Sequence, residues 1–348
     1  MVSKKTNIEY FAKHPLASKI MQTVEKWSNE NYPTVNGKNI TPTTRELLNY
    51  WFDENIHEDI KFHKCQKRAI ETVIYCYEIL DLPLPKDLFS IFNEVELKGG
   101  VLVELEKMGY PRFAIKMATG TGKTWVIQAL IIWQYFNKLK HQDKRFSTHF
   151  LLFAPGNIVY DRLLDSFEGK MKDGKRNKNT SDISLDLFMP KDWRVEFNLR
   201  IYTKEDITGN TQTTNVPFVM ITNWHQLIDT KNESISTAKY LGLDFQDESE
   251  SYRVQNFYDF LSANPDLVII NDEAHHLYNA SDKDLKRWQE SIEKIFLKIK
   301  EYDNPSFCQF DFTATPYVIS GKKKEWMKHV IYDYGLVEAM NEDRKSVV

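Results

Sequence analysis

The spacing of apolar positions changes along the chain and divides the sequence into two parts. Up to about residue 105, apolar residues recur every three or four positions, which predicts helices over residues 45–52 and 66–80. Pro83 and Pro85 end the second helix, because proline lacks the N–H group that a continuing helix needs. We therefore predict a mainly helical amino-terminal region at residues 1–105.

From residue 112 onwards, short apolar runs alternate with longer helical stretches. Several of these runs are apolar on both faces, as strands covered by helices on both sides are. Helices between successive strands imply right-handed crossovers and a parallel sheet, so we predict an α/β domain over residues 106–340. The predicted strands are residues 112–117, 148–154, 195–202, 218–222, 267–271 and 307–312.

Two polar stretches interrupt this alternation. Residues 170–184 are rich in Lys, Asn, Asp and Gly, and residues 229–254 are rich in Ser, Glu and Asp. Neither stretch has enough apolar residues to form a core, so we predict that both are surface insertions.

Composition and charge narrow the class of protein. With 42% hydrophobic and 27% charged residues, the 348-residue chain has the make-up of an ordinary globular protein. Its net charge of −3 means that any nucleic-acid contact must come from a local basic patch or from a partner. Three widely separated cysteines argue against a metal or disulfide framework. Without a signal peptide or a bilayer-spanning apolar run, we expect a cytoplasmic protein with no membrane contact.

The strongest chemical signal is a glycine-containing turn at residues 117–124, between a predicted strand and a predicted helix. Gly120 and Gly122 let the backbone turn tightly, so that its N–H groups point inward around an anion. Lys123 would then reach the β- and γ-phosphates of a nucleotide, and the Thr124 hydroxyl would ligate Mg²⁺. An ordinary turn between strand and helix is the alternative.

The loop residues predicted to contact the nucleotide are Thr119, Gly120, Thr121, Gly122, Lys123 and Thr124. Met117 departs from the general pattern, which has Gly or Ala at the first position.

An acidic pair is the second signal. Asp272 and Glu273 follow the predicted strand 267–271, at the sheet edge where ligands of parallel sheets bind. We predict that Asp272 holds Mg²⁺ and that Glu273 orients or deprotonates the attacking water, because phosphoryl transfer needs both roles. His275 would connect the nucleotide to neighbouring segments through a hydrogen bond, whereas we assign no role to His276. A strand that ends in a solvated acidic cap is the alternative.

Three motifs in this order resemble motifs I, II and III of superfamily 2 helicases. They are residues 117–124, the DEAH box Asp272-Glu273-Ala274-His275, and the Phe-Thr-Ala-Thr-Pro run at residues 312–316. The chain is most similar to the Res subunit group of type III restriction enzymes, whose form of motif I also accommodates Met117. The resemblance implies a RecA-like P-loop NTPase fold that uses ATP and Mg²⁺, in which Thr313 and Thr315 couple hydrolysis to strand movement.

Weaker matches extend the resemblance. Residues 62–66 are similar to the adenine-reading Q motif, with Gln66 as the amide that pairs with the base, although His63 or Lys64 replaces the usual Arg. Residues 153–157 resemble motif Ia and residues 221–223 resemble motif Ib, whose loops hold one nucleic-acid strand in the family. The residues implied for that contact are Pro155, Gly156, Asn157, Thr222 and Asn223. Ordinary loops at strand ends are the alternative.

The resemblance also implies a second RecA-like domain, which carries arginine fingers. Only about 30 residues follow Pro316, too few for such a domain. We therefore expect this sequence to hold the first RecA-like domain alone, with residues 341–348 starting the linker. An arginine finger is worth about 10³–10⁵ in rate, so the chain should bind ATP but hydrolyse it poorly until a second domain completes it in cis or from another chain. Pro265-Asp266 lacks the Glu-x-Lys partner of a nuclease site.

Together these features predict the ATP-binding motor domain of a DNA helicase or translocase of the restriction-modification type. The resemblance implies double-stranded DNA and a methyltransferase modification subunit as partners. The alternative is a module that binds nucleic acid or protein in response to nucleotide, without unwinding. Glu273 favours the enzyme, because a pure binding module has no need of a catalytic base.

Overall fold

The computed structural model describes residues 14–57, 60–92, 109–203, 206–207, 216–223, 257–278, 283–320, 323–336 and 338–340. The chain forms two compact units, of which the first is discontinuous in sequence. Unit 1 comprises Met1–Ala129 and Gln309–Val348, and unit 2 comprises Leu130–Cys308. The domain boundaries that we placed near residues 105 and 340 stay predictions.

Helices dominate the first part of unit 1. They are α1 (Pro15–Asn29), α2 (Pro42–Phe52), α3 (Lys64–Ile74, continued by a π-helical turn at Tyr75–Ile79) and α4 (Pro85–Ile91). The predicted helices at 45–52 and 66–80 are confirmed by α2 and by α3 with its π-helical turn.

Buried carboxylates hold these helices together. Glu71 accepts hydrogen bonds from Ser28 Oγ at 2.6 Å and from Tyr32 Oη at 2.8 Å. Glu78 accepts from the backbone N–H of Thr41 at 2.7 Å and from Thr44 Oγ1 at 2.5 Å. Both Glu side chains are fully buried, so these donors replace the water that each carboxylate loses.

The remaining elements alternate strands and helices. The longer helices are α5 (Lys123–His141), α6 (Asn157–Glu168) and α7 (Lys283–Ile299). The strands are β1 (Arg112–Met117), β2 (His149–Ala154), β3 (Met171–Lys172), β4 (Lys175–Arg176), β5 (Arg200–Tyr202), β6 (Phe218–Asn223), β7 (Asp266–Asn271), β8 (Ser306–Thr313), β9 (Tyr317–Ser320), β10 (Lys323–Trp326) and β11 (Val330–Tyr334).

Among the described residues, seven strands form one sheet in the order β11-β1-β8-β7-β2-β6-β5. The strand pairs with a defined register are parallel. Every residue of β2, β6 and β7 is buried, as expected for strands covered on both faces. The predicted α/β fold with a parallel sheet is thus confirmed.

The strand predicted at residues 195–202 is wrong over most of its length. Lys191–Val195 forms a 3-10 turn, Val195 is 90% exposed, and only Arg200–Tyr202 joins the sheet. The Tyr135 hydroxyl donates to Glu196 O at 2.8 Å and accepts from the N–H of Asn198 at 3.0 Å. These backbone groups therefore bond a side chain instead of a neighbouring strand.

Sequence patterns missed the strands after residue 316. β9 and β10 pair as an antiparallel hairpin, and β11 pairs in parallel with β1. Asp333 interrupts the apolar run of β11, and Lys116 Nζ on β1 forms a 2.5 Å ion pair with its carboxylate. Because Asp333 breaks the apolar run, a search for apolar runs does not detect β11.

The first predicted insertion, residues 170–184, forms the small antiparallel hairpin β3–β4 and two 3-10 turns. The hairpin is mostly exposed, whereas Ser181 and Ile183 at its root are buried. The second predicted insertion, residues 229–254, lies outside the described residues.

The three cysteines are buried and none of them forms a disulfide. Over the described part of the chain, no helix has both the length and the apolar character needed to cross a bilayer.

Candidate nucleotide site and family

The phosphate loop, residues 118–123, links β1 to α5 within unit 1. The N–H of Ala118 donates to Tyr334 O at 3.0 Å, so β11 fixes the start of the loop. The Thr121 hydroxyl donates to Ala118 O at 2.7 Å and closes the turn. Gly120 and Gly122 have φ values of +84° and +76°, in the left-handed region. The structure thus confirms that a glycine-containing turn links a strand to a helix here, and its contact with a nucleotide stays a prediction.

Gln66 contacts the phosphate loop from helix α3. Its Nε2 donates to Gly122 O at 3.2 Å, while its Oε1 accepts from the N–H of His63 at 2.7 Å. A Cβ added to Gly122 would collide with Gln66 Nε2, so the end of the Gln66 side chain would have to move, and the φ of Gly122 itself favours glycine. The Gln66 side chain is buried, and its role in reading adenine stays a prediction.

The loop has the form of an anion cradle. Thr119 and Gly120 are exposed, and an added Cβ at Gly120 would meet no atom within 4 Å. Lys123 is only 8% exposed and begins α5, whose first N–H groups have no acceptor within the helix. Open space at Gly120, a positive helix end and a lysine at the helix start fit a phosphate group.

The acidic turn, residues 272–276, follows β7 within unit 2. The N–H of Asp272 donates to Phe153 O on β2 at 3.0 Å, which fixes the start of the turn. The Asp272 side chain is 1% exposed, and its Oδ1 accepts from the N–H of Glu273 at 3.0 Å. The carboxylate is therefore held in one orientation by the turn that it begins.

Glu273 adopts a left-handed backbone conformation, with φ of +50°. Such a conformation costs a residue with a Cβ about 1–2 kcal/mol. The bond from its own N–H to Asp272 and a bond from the N–H of His276 to Glu273 O at 3.2 Å stabilise it. Glu273 Oε2 lies 3.6 Å from His275 Nδ1, which brings together two of the predicted site residues.

Arg162 was missed by the sequence reading. Its Nη2 lies 3.4 Å from Asp272 Oδ2, although 55% of its side chain is exposed. Arg162 is on α6, which begins at Asn157, the last residue of the predicted motif Ia. Arg162 lies in the second turn of that helix and belongs to no sequence motif, so only the fold shows that it lies beside Asp272.

Some of the remaining predicted residues form two local sets of hydrogen bonds. Thr313 Oγ1 accepts from the N–H of Thr315 and donates to Thr315 O, both at 3.0 Å. In unit 2, Asn223 Nδ2 donates to Asn157 Oδ1 at 2.7 Å and joins the predicted motif Ia and Ib loops.

Exposure differs among the residues predicted to contact nucleic acid. Asn157 is exposed and Pro155 and Gly156 are half-buried, whereas Thr222 and Asn223 are fully buried. The motif Ia loop is therefore more accessible to a nucleic-acid strand than the motif Ib loop.

The residues present fit Mg²⁺ held together with a nucleotide. No cluster of three or more His, Cys, Asp or Glu that could hold a metal occurs among the described residues. Mg²⁺ bound to phosphates needs only one or two protein ligands besides water and phosphate oxygens. A hydroxyl such as Thr124 and a buried carboxylate such as Asp272 are ligands of the right chemistry.

Comparison with protein families shows which family the chain belongs to. The family model described as "Type III restriction enzyme, res subunit" matches residues 59–318. The chain belongs to this res-subunit family. Members have a RecA-like P-loop fold and a helicase-type ATPase motor domain, so the predicted family and fold are confirmed.

All the predicted site residues lie inside the part of the chain that matches the res-subunit family. Family membership implies use of a nucleotide and usually Mg²⁺, and suggests nucleic-acid binding. No curated protein and no solved structure matches the chain.

Proposed function

We propose that this chain is the ATP-binding motor domain of a DNA translocase or helicase of the type III restriction class. One observation carries the proposal: the res-subunit match covers a glycine turn whose geometry forms an anion cradle before α5. Two left-handed glycines and a largely buried lysine at a helix start are hard to explain by packing alone.

The phosphate loop and the residues predicted to act with it have separate proposed tasks. The backbone from Thr119 to Gly122 and the Lys123 ammonium neutralise the phosphates, and Gln66 reads adenine. Thr124 and Asp272 hold Mg²⁺, which when bound withdraws charge from the phosphate oxygens and orients them.

Glu273 is the proposed general base, which orients the attacking water and accepts its proton. His275 lies beside that carboxylate and is proposed to transmit its state to neighbouring segments. Thr313 and Thr315 are proposed to couple hydrolysis to movement. Appreciable hydrolysis is proposed to need an arginine finger from a second RecA-like domain, supplied in cis or by another chain.

The nucleic-acid contact is proposed at the motif Ia and Ib loops of unit 2. The bond between Asn157 and Asn223 supports this proposal, since it makes the two loops one structural element. Pro155, Gly156 and Thr222 complete the proposed contact. Double-stranded DNA and a methyltransferase subunit are the proposed partners in the assembled enzyme.

The decisive experiment measures ATP binding by titration calorimetry in the presence of Mg²⁺. Lys123→Ala should abolish measurable binding, because it removes the cation that the triphosphate contacts. Lys300→Ala changes an exposed lysine of unit 2 and is the matched control. If Lys123→Ala retained wild-type affinity, the phosphate loop would be misassigned.

A second measurement separates an enzyme from a binding module. Glu273→Gln should keep ATP and Mg²⁺ binding but stop turnover once a second RecA-like domain is supplied. Persistent turnover in that assembly would exclude Glu273 as the base. Absence of turnover in the wild-type assembly would favour a nucleotide-dependent binding module.

A further inference from the structure

The hairpin β3–β4 concentrates positive charge in a chain whose net charge is −3. We define the basic hairpin as residues 170–178. It has one carboxylate, Asp173, and five cations, which are Lys170, Lys172, Lys175, Arg176 and Lys178. The proposed function assigns none of these residues a role.

Arg176 anchors the basic hairpin to the end of α6. Its Nη1 donates to Asp165 Oδ1 and to Gly169 O, each at 2.8 Å, and its Nε lies 3.4 Å from Glu168 Oε2. The N–H of Lys170 also donates to Thr180 Oγ1 at 2.8 Å. The arginine is therefore structural, and the hairpin has a fixed base.

The lysines are available to a ligand. Lys170, Lys172, Lys175 and Lys178 are all exposed. Within the part of the chain that the structure describes, no carboxylate forms a salt bridge with Lys170, Lys172 or Lys175, whereas the charge of Lys178 acts on nearby Glu168. Three exposed ammonium groups thus form no salt bridge with a described carboxylate that a ligand would have to break.

The turn holds two of these lysines against each other. Lys172 and Lys175 are directly opposite across the two strands, an arrangement that like charges destabilise. Asp173 and Gly174 have φ values of +50° and +76°, as in the two-residue turns that favour hairpins. A polyanion bound across this pair would relieve the repulsion.

We propose that the basic hairpin binds the phosphate backbone of the DNA duplex on which the motor acts, without reading its bases. This inference rests on the proposed function. Lysine ammonium groups bind phosphates as point charges, and such contacts are independent of sequence. The hairpin has no aromatic residue on which unstacked bases could stack, which favours a duplex over a single strand.

The position of the basic hairpin also favours a stiff ligand. It follows the carboxyl end of α6, whose amino end begins at the motif Ia loop. A 12-residue helix is about 18 Å long, the length of roughly five base pairs. A duplex held at Asn157 could reach the hairpin along α6 without bending.

The test is a salt titration of duplex binding by the full chain, measured by fluorescence anisotropy. The test variant combines Lys170→Gln, Lys172→Gln and Lys175→Gln. The matched control combines Lys294→Gln, Lys298→Gln and Lys300→Gln, which remove the same charge from exposed positions of the same unit.

We expect the test variant to bind duplex at least about tenfold more weakly at low salt than the wild type. The slope of log affinity against log salt should fall by about 2–3, since each phosphate contact contributes about 0.9. The loss should be equal for duplexes of unrelated sequence. ATP affinity and the melting temperature should match the wild type.

Four outcomes would overturn the inference. The first is an unchanged slope in the test variant, and the second is an equal loss in the control triple, which would reflect net charge alone. The third is tighter wild-type binding to a single strand, to polyglutamate or to vesicles of anionic lipid than to duplex. The fourth is a wild-type chain that binds ATP but no duplex, which would also remove the nucleic-acid part of the proposed function. Failure of the Lys123→Ala test, by contrast, would remove the ATP assignment and leave the hairpin result standing.

Discussion

The phosphate loop and the acidic turn both contain residues in the left-handed backbone region, but the types of residue in that region differ. The loop places it at Gly120 and Gly122, which have no Cβ to clash. The turn places it at Glu273, where the same region costs about 1–2 kcal/mol. Strain retained at a residue with a functional group is typical of active sites. The loop therefore avoids this conformational cost through glycine, whereas the acidic turn bears it at a residue with a side chain.

Gly122→Ala should have the largest effect of the changes that test this comparison. The new Cβ would meet both an unfavourable φ and the Gln66 amide, so we expect a loss of about 2–5 kcal/mol in the free energy of unfolding. ATP binding should be lost with it. Urea unfolding and calorimetry measure the two effects.

Gly120→Ala is the matched control, because its φ is similar but its surroundings are open. It should cost about 1–2 kcal/mol. Equal losses for the two variants would mean that the contact with Gln66 does not shape the loop.

Gln66→Ala tests whether the contact from α3 stabilises the phosphate loop. It removes the bonds to Gly122 O and to the N–H of His63, so we expect a loss of about 1–3 kcal/mol in stability. ATP should bind more weakly, and the preference for ATP over GTP should decrease.

Gln66→Glu separates the two bonds, because it keeps an acceptor for His63 and removes the donor to Gly122. Competition between ATP and GTP measures the preference. An unchanged preference in Gln66→Ala would exclude Gln66 from the adenine site, whatever its effect on stability.

Glu273→Gly turns the acidic turn into a glycine turn like the phosphate loop. Relief of the left-handed strain, partly offset by the freedom of glycine in the unfolded chain, should stabilise the protein by about 0.5–1 kcal/mol. Glu273→Gln keeps the Cβ and should leave stability nearly unchanged. A less stable Glu273→Gly protein would show that the turn is not strained.

Lowering the pH should have the smallest effect. It should destabilise unit 1 at a higher pH than unit 2. In unit 1, burial lowers the pKa of His329 below its ordinary 6.5, although its bond to Asp311 opposes the shift. The unfolded chain then binds the proton more readily, so this stability is present above pH 6.5 and decreases as pH falls below it.

In unit 2, burial raises the pKa of Asp266, but the adjacent His149 and a bond from the N–H of Thr148 lower it below its ordinary 3.8. That contribution is lost only as pH falls below about 3.8. Hydrogen exchange of β11 and β7 at pH 7 and pH 5 measures the order. Earlier loss of protection in β7 would contradict it.

Sequence patterns predicted the phosphate loop because glycine is the residue that such a turn requires, and glycine is visible in a sequence. Five of the predicted strands followed from apolar runs alone. The strain at Glu273 and the approach of Arg162 to Asp272 could not be predicted, since the first depends on the exact turn after β7 and the second on where α6 lies in the fold. The strand predicted at 195–202 failed because Tyr135, distant in sequence, bonds its backbone.

The last strand of the sheet has a consequence for the order in which the chain matures. Tyr332 donates to Cys65 O at 2.8 Å, and Tyr334 O accepts from Ala118 at the phosphate loop. Both contacts join segments that a ribosome makes about 200 or more residues apart. Unit 2 is continuous and can fold during synthesis, whereas unit 1, which contains the phosphate loop, must wait until β11 emerges. We expect nascent chains that end before residue 330 to fold unit 2 but not to retain ATP.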